Sequence, residues 1–299
     1  MKKVLVVYYS QTGQLKDIAD HLVRPMQESN EVEVDFCKIE MENDFPFPWT
    51  AESFFGAFPE SFLLIPQPIK PLSQQIINKN YDLIILAYQV WFLSPSIPFN
   101  SFLQSKQGKQ LITGKPVITV SGTRNMWVLA QQKVKKLIEN ANGKLVGNIA
   151  LTDRNFNHIS VITIVHWLFT GKKERYLGIF PLPGVSQSDI ERSVDFGSII
   201  LSHVKSGNYE QMQTKIIQKG GVHIKHFLIS ADKKANRLFG IWANKIYGSP
   251  KRKFLLKCFH LYLYVAIWVL MPIVFLFYLI TYPFFWRKIQ KEIKQAQSI

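Results

Sequence analysis

Cysteine is nearly absent from this 299-residue chain: Cys37 and Cys258 are the only two, far apart and in unlike surroundings. That excludes a disulfide framework and a CxxC metal site, and it fits a reducing cytoplasmic setting. His158 and His166 lie too far apart for one helical turn and have no cysteine or acidic companion, so no metal centre is expected. There is no GxxxxGK[ST] run, which argues against a nucleoside-triphosphate loop, and no GxGxxG, which argues against a dinucleotide site. Acidic residues are scarce at one end only. Residues 206–299 hold 15 Lys+Arg against 3 Asp+Glu, whereas residues 1–205 hold 21 against 18, so most of the formal net charge of +15 belongs to the tail. Within that tail, residues 258–286 contain no Asp, Glu, Lys or Arg at all.

What is present is organised around residues 3–15, KVLVVYYSQTGQL. Val4 to Val7 are apolar on both faces, as a fully buried parallel strand requires, and Leu15, Ile18, Ala19 and Leu22 repeat at helical spacing. The turn between them therefore sits at the carboxyl end of a strand, where open α/β sheets bind ligands. Ser10 and Thr12 offer hydroxyls, Gly13 allows close backbone approach, and the unpaired amides of the first helical turn, around Gln14 and Leu15, point to the same place. Gln11 lies between the two hydroxyls. With the triphosphate and dinucleotide loops excluded, a small monophosphate ester remains. This strand and turn resemble the FMN-phosphate loop of flavodoxins and flavodoxin-like quinone reductases.

Further along, residues 31–36 alternate as a more edge-like strand. Residues 43–72 mix six prolines with Trp49 and six phenylalanines, too proline-rich for a long helix and too aromatic for a linker. That stretch is expected to fold back over something apolar, as a satellite cluster, a substrate portal or both. Residues 82–88 form the most continuously apolar strand and run into Gln89, Val90, Trp91 and Phe92, then Pro95, Pro98 and a helix. In flavodoxin-like reductases the matching loop lies against the isoalloxazine, so the resemblance places Trp91 on a flavin face, with Phe92 either beside it or in the core. Residues 116–121 give another buried strand, left through Gly122, Thr123, Arg124 and Asn125. By position this is the family's third flavin loop, and Arg124 and Asn125 are donors for the ring edge where negative charge develops on reduction. Residues 144–151 supply a fifth strand. The expected fold is therefore α/β: a flavodoxin-like doubly wound five-stranded parallel sheet of order 2-1-3-4-5.

Residues 153–184 interrupt that pattern before a closing helix capped by Ser186 with Asp189 three residues on. Two domains follow: 1–205 as the FMN-binding unit, and 206–299 as a helical membrane-associated appendage. Within the appendage, residues 231–247 read as a basic amphipathic helix suited to a membrane surface, and residues 258–286 are long enough for a bilayer, where ~20 apolar residues suffice. Nucleic acid is not expected, because base-reading motifs and stacking aromatics do not accompany the charge. At 47% hydrophobic residues, with a mean hydropathy of +0.03, the chain is greasy for a soluble enzyme.

The combination of these loops, the 153–184 insertion and the apolar tail resembles the flavodoxin-like proteins of dialkylresorcinol, or flexirubin-type, pigment pathways. The resemblance implies an FMN-dependent oxidoreductase that aromatises a lipophilic dialkylcyclohexanedione to a dialkylresorcinol, with a ketosynthase and an acyl carrier protein as pathway partners. Proton transfer then falls to His158 and Asp153, at the carboxyl end of the fifth strand. A membrane-associated NAD(P)H quinone reductase and a membrane-tethered flavodoxin-like electron carrier are the alternatives. The slightly basic first domain counts against the carrier, which usually presents an acidic rim. The apolar run before residue 10 is too short for a signal peptide, so the FMN domain is expected at the cytoplasmic face of the inner membrane. Basic clusters on both sides of residues 258–286, with Pro272 at their middle, predict a monotopic anchor: a re-entrant hairpin, or a bent helix within one leaflet.

Overall fold

The computed structural model describes all 299 residues. Five strands, β1 (Lys2–Tyr8), β2 (Val32–Lys38), β3 (Leu83–Tyr88), β4 (Pro116–Thr123) and β5 (Lys144–Thr152), form one wholly parallel sheet of order 2-1-3-4-5. This is the flavodoxin-like order, and burial explains it. Val4–Val7 and all of β3 are inaccessible to solvent on both faces, so they occupy the middle, while the half-exposed β2 takes one edge.

Helices cover both faces. On one side α1 (Gln14–Gln27) packs through Ile18, Leu22 and Met26 against α7 (Ser193–Ser206). On the other, α4 (Ile97–Gln104) and α5 (Val128–Asn140) bury Phe99, Phe102 and Val134. Between them in sequence lie two short helices, α2 (Ala51–Gly56) and α3 (Phe58–Phe62), within the phenylalanine-rich segment, and α6 (Asn157–Thr170) in the insertion. Ser186 accepts from the Asp189 amide and caps a single turn that leads into α7.

The C-terminal third divides differently from the sequence expectation. Helix α8 (Met212–Gln218) contributes Met212 and Ile216 to the core beneath the sheet, and Val222 and Ile229 continue it. Residues 206–229 thus pack with the sheet. Part of the apolar face of α9 (His226–Ile246) is covered, with Phe239, Ala243 and Ile246 buried against Phe58, Phe62 and Phe259, while Leu238 and Ile241 stay exposed.

The last 46-residue helix, Arg252–Gln297, is long and apolar enough to cross a membrane by length and composition. It is neither a hairpin nor broken at Pro272. It runs as α10 (Arg252–Val265), a π-helical turn (Ala266–Leu270) and α11 (Met271–Gln297). Both ends are tied to the same body. Arg252 forms a bidentate pair with Glu60, 2.8 Å on each arm, and also reaches the Gly56 carbonyl. At the other end Glu292 meets His226 and Lys233, and Gln297 accepts from Gln213 and donates to the Val222 carbonyl. The outer face between these ties exposes Leu261, Val269, Ile273, Leu276, Ile280 and Phe284.

Asp232 joins α9 to α5. Its carboxylate is 1% exposed and accepts from the Leu129 amide at 3.1 Å. Burial pushes its pKa up to about 6, against the opposing pull of the Leu129 amide, Asn236 and Lys133. A folded-state pKa above the ordinary carboxylate value means that the folded state gains stability as pH falls through about 6, a gain complete below about 4. Asp232→Asn is expected to remove this pH dependence, on the order of 3 kcal/mol, as read from denaturant unfolding of both proteins across that interval.

Candidate functional site

The turn between β1 and α1 is built to receive an anion. Gly13 adopts φ +86, a conformation that L side chains rarely take, and a Cβ there would meet nothing within 4 Å. The amides of Gln11, Thr12 and Gly13 donate to no group in the protein, and Ser10 Oγ accepts from the Lys16 amide at 3.4 Å. The Thr12 hydroxyl is likewise unpaired. Unpaired amides, a free hydroxyl and the positive end of a 14-residue helix together suit a terminal phosphate.

Two side chains of the turn have structural work that the sequence did not announce. Gln11 donates to the Pro46 carbonyl at 3.0 Å and accepts from Trp49 Nε1 at 2.8 Å, clamping the phenylalanine-rich segment onto the loop. Gln14 is buried, donates to the Val185 carbonyl and accepts from the Val185 amide, so its backbone amide rather than its side chain faces the anion position. The adjoining Gly184 has φ +82, and a Cβ there would come within 2.5 Å of Gln14 Oε1.

Behind the turn opens a cavity of about 800 Å³ whose wall is mostly apolar. That volume lies toward the top of the ~300–1,000 Å³ usual for small-molecule sites. Gln11, Thr12, Gln14 and Leu15 line one end. Gln89, Val90, Trp91 and Phe92 form one side, and Gly122, Thr123, Arg124 and Asn125 the other. The structure thus brings together all the cofactor-binding residues expected from sequence except Ser10, which supports the turn, and Gly13, whose amide faces the same place.

The second loop is a tight antiparallel hairpin in which Val90 pairs with Pro95 and Trp91 with Ser94. Its two corner residues, Phe92 (φ 46) and Leu93 (φ 61), lie in the left-handed region, at a cost of roughly 1–2 kcal/mol each. Packing holds them there: Leu93 is buried, and Phe92 lies 4.9 Å from Phe54 and 5.4 Å from Phe58. Trp91 projects among Tyr9, Phe45 and Trp49, edge-on to each at 5.0–6.1 Å. Gln89 contributes a buried Oε1 with no partner in the protein.

In the third loop, Arg124 Nη1 and Asn125 Nδ2 both donate to Asn157 Oδ1, at 3.0 and 3.2 Å, which fixes them against the start of α6. Desolvation pulls the guanidinium down to about 10, with Asp153 opposing, and it remains a cation at neutral pH. It is the positive charge on the cavity wall beside the hairpin loop.

The two residues expected to transfer protons are placed elsewhere. Asp153 is fully buried; its carboxylate accepts from the Asn155 amide at 2.9 Å and from Ser160 Oγ at 2.7 Å, and so fixes the entry to α6. His158 directs Nε2 at the Ile267 carbonyl, 3.0 Å away, stacks on Phe156 and lies tilted against Trp268. Neither residue lines the cavity. The imidazoles that do are His166, paired with Glu174 at 3.2 Å, and His260, stacked on Phe55 at 4.2 Å. Sequence reasoning weighed His166 only as a metal ligand; its helical register with Val165 and Phe169 was the available signal. Within the phenylalanine-rich segment, Trp49, Phe54 and Phe55 line the cavity, while Phe58 and Phe62 form the satellite cluster expected from sequence.

No known family description matches the chain, and no curated protein matches it in sequence. Among solved structures it is similar to a flavoprotein in complex with FMN from Lactobacillus acidophilus NCFM, with 19% identity and a TM-score of 0.40 over 50% of this chain and 93% of that one. Oxidised flavodoxin 1 from Bacillus cereus is similar at 15% identity and a TM-score of 0.36, covering 68% and 99%. An oxidoreductase from Corynebacterium diphtheriae is similar at 12% and 0.35, covering 68% and 98%. The fold assignment rests on the strand order itself, and no activity is carried over from chains this distant.

Asp153→Ala removes the acceptor for two hydrogen bonds at the base of α6. The variant is expected to lose about 2 kcal/mol of unfolding free energy while any bound cofactor keeps its spectrum in the folded fraction.

Proposed function

We propose that the protein is an FMN-dependent oxidoreductase working at a membrane surface on a lipophilic ring, and that its reaction is aromatisation of a dialkylcyclohexanedione to a dialkylresorcinol. The observation that carries this reading is the cavity itself: one end is an unpaired phosphate cradle, and the other is walled by the helix that follows the sheet domain. An electron carrier has no use for an aromatic wall beyond its cofactor.

When bound, FMN supplies a two-electron acceptor that takes hydride. The chain's own residues do the rest. Thr12 and the amides of residues 11–15 hold the phosphate; a monophosphate ends there, since no second nucleotide cradle follows. Trp91 offers a face or edge to the ring, and Arg124 places positive charge where negative charge grows on reduction. Trp49, Phe54 and Phe55 keep water from the substrate. The dione loses hydride from one ring carbon and a proton from its neighbour, and enolisation of the resulting enedione gives the resorcinol. His166 is the proton acceptor this reading favours: Glu174 engages Nε2 and leaves Nδ1 for the proton. A ketosynthase acting on acyl-carrier-bound chains is the class of reaction that makes such a dione.

Purified protein is expected to be yellow and to release FMN, and Thr12→Ala should weaken FMN binding by about 1–3 kcal/mol as one charged hydrogen bond is lost. Anaerobic addition of a dialkylcyclohexanedione should bleach the flavin, with Trp91→Ala slowing bleaching more than it lowers stability. Rapid bleaching by NAD(P)H with none by the dione would favour a quinone reductase, and a colourless protein that ignores added FMN would end the flavin reading.

A further inference from the structure

The π-helical turn at residues 266–270 has a traceable cause. In π register the Ile267 carbonyl would accept from the amide five residues on, and that residue is Pro272, which has no N–H. The carbonyl is therefore left without an intrahelical donor. His158 Nε2 supplies one from α6, at 3.0 Å. The helix passes its proline unbroken because a side chain from another element satisfies the carbonyl that the proline leaves unpaired.

That contact stands at the mouth of the cavity. Tyr264, Ile267 and Trp268 of the long helix line the cavity on one side, and Val161, Ile162 and Val165 of α6 face them. Tyr264, Trp268 and Val165 are also 61%, 37% and 45% exposed, so they form a rim, and beside them the exposed face carries Leu261, Val269 and Ile273. Basic residues flank this apolar face at Lys251, Lys253 and Lys257 before it and Arg287, Lys288 and Lys291 after it. An apolar strip between two cationic belts matches one leaflet of an anionic bilayer: acyl chains against the strip, headgroups against the belts.

We propose, resting on the membrane-surface reading above, that the cavity is filled sideways from the lipid through the gap between α6 and residues 264–268, and that the His158–Ile267 contact is the latch of this portal. Molecules with a polar ring and alkyl chains enter ring-first, leaving the chains among the exposed apolar residues. Breaking one hydrogen bond frees the π turn to move, and the turn's unusual register confines that motion to the rim.

The test uses the full chain on vesicles of phosphatidylcholine and phosphatidylglycerol, in a Trp242→Phe, Trp268→Phe, Trp286→Phe background, so that Trp49, Trp91 and Trp167 of the cavity wall report occupancy over a constant signal from the core residue Trp127. Decyl-benzoquinone dissolved in the vesicles is the probe, and the rate of tryptophan quenching is read. His158→Phe, which keeps the stacking and loses the donor, should speed entry roughly 3- to 10-fold, and His158→Gln, which restores a donor, should not. Val165→Arg, placing a charge on the rim, should slow entry roughly tenfold or more. Water-soluble para-benzoquinone should be indifferent to all three. Decyl-benzoquinone rates unchanged by His158→Phe and Val165→Arg, equal changes for both quinones, or failure of the protein to bind the vesicles would each overturn the portal. Because tryptophan is read, a protein without flavin would defeat the cofactor assignment and leave this result standing.

Discussion

A helix of 46 residues is ~69 Å long, more than twice the thickness of a bilayer's hydrocarbon core, yet both of its ends are tied to one globular body. The Arg252–Glu60 pair holds the start, and the contacts of Glu292 and Gln297 hold the end. Neither end can reach the far side of a membrane while both ties are made. The consequence reaches through the rest of the molecule. The apolar outer face is left exposed, the inner face packs on α9 and the phenylalanine cluster, and the stretch between passes the cavity opened by the flavodoxin-like loops.

This arrangement gives the two halves of the chain one site. The sheet domain provides what its topology always provides, loops at the carboxyl ends of β1, β3 and β4. The phosphate cradle and Arg124 come from those loops. What those loops do not provide is a lid, and here it is assembled from α2, α6 and α10, with Gln11 clamping the phenylalanine-rich segment to the phosphate turn. The turn and the aromatic wall thus share one side chain, Gln11. The strained corner at Phe92 and Leu93 belongs to the same construction, since it is the packing of Phe54 and Phe58 that holds the hairpin in place.

The strands and the order of the sheet were legible because buried parallel strands are written as unbroken apolar runs, 4–7 and 83–88 above all. The turn between β1 and α1 was legible because a glycine and small hydroxyl residues between an apolar run and a helical pattern mark a tight strand-to-helix connection. Pairings across distance were not. Nothing local in Gln11 or Gln14 points to Trp49 or Val185, 38 and 171 residues away. Part of the apolar side of α9 is covered by Phe58 and Phe259, drawn from two other segments. Pro272 was expected to kink or break the helix; a π turn and a histidine more than a hundred residues earlier in the chain absorb the lost bond instead. Asp153 and His158 carry acid–base chemistry by residue type, but their neighbours use them for holding the fold.

The most direct test of this account concerns sidedness. Ser249→Cys lies before the long helix and Ser298→Cys after it, in a background with the native cysteines replaced, and each is exposed to a membrane-impermeant thiol reagent in intact cells and in inverted membrane vesicles. With both ends held on one body, the two cysteines should behave alike, resisting the reagent in cells and reacting in inverted vesicles. Labelling of the two from opposite sides would show that the helix crosses the bilayer and would contradict the account at its centre.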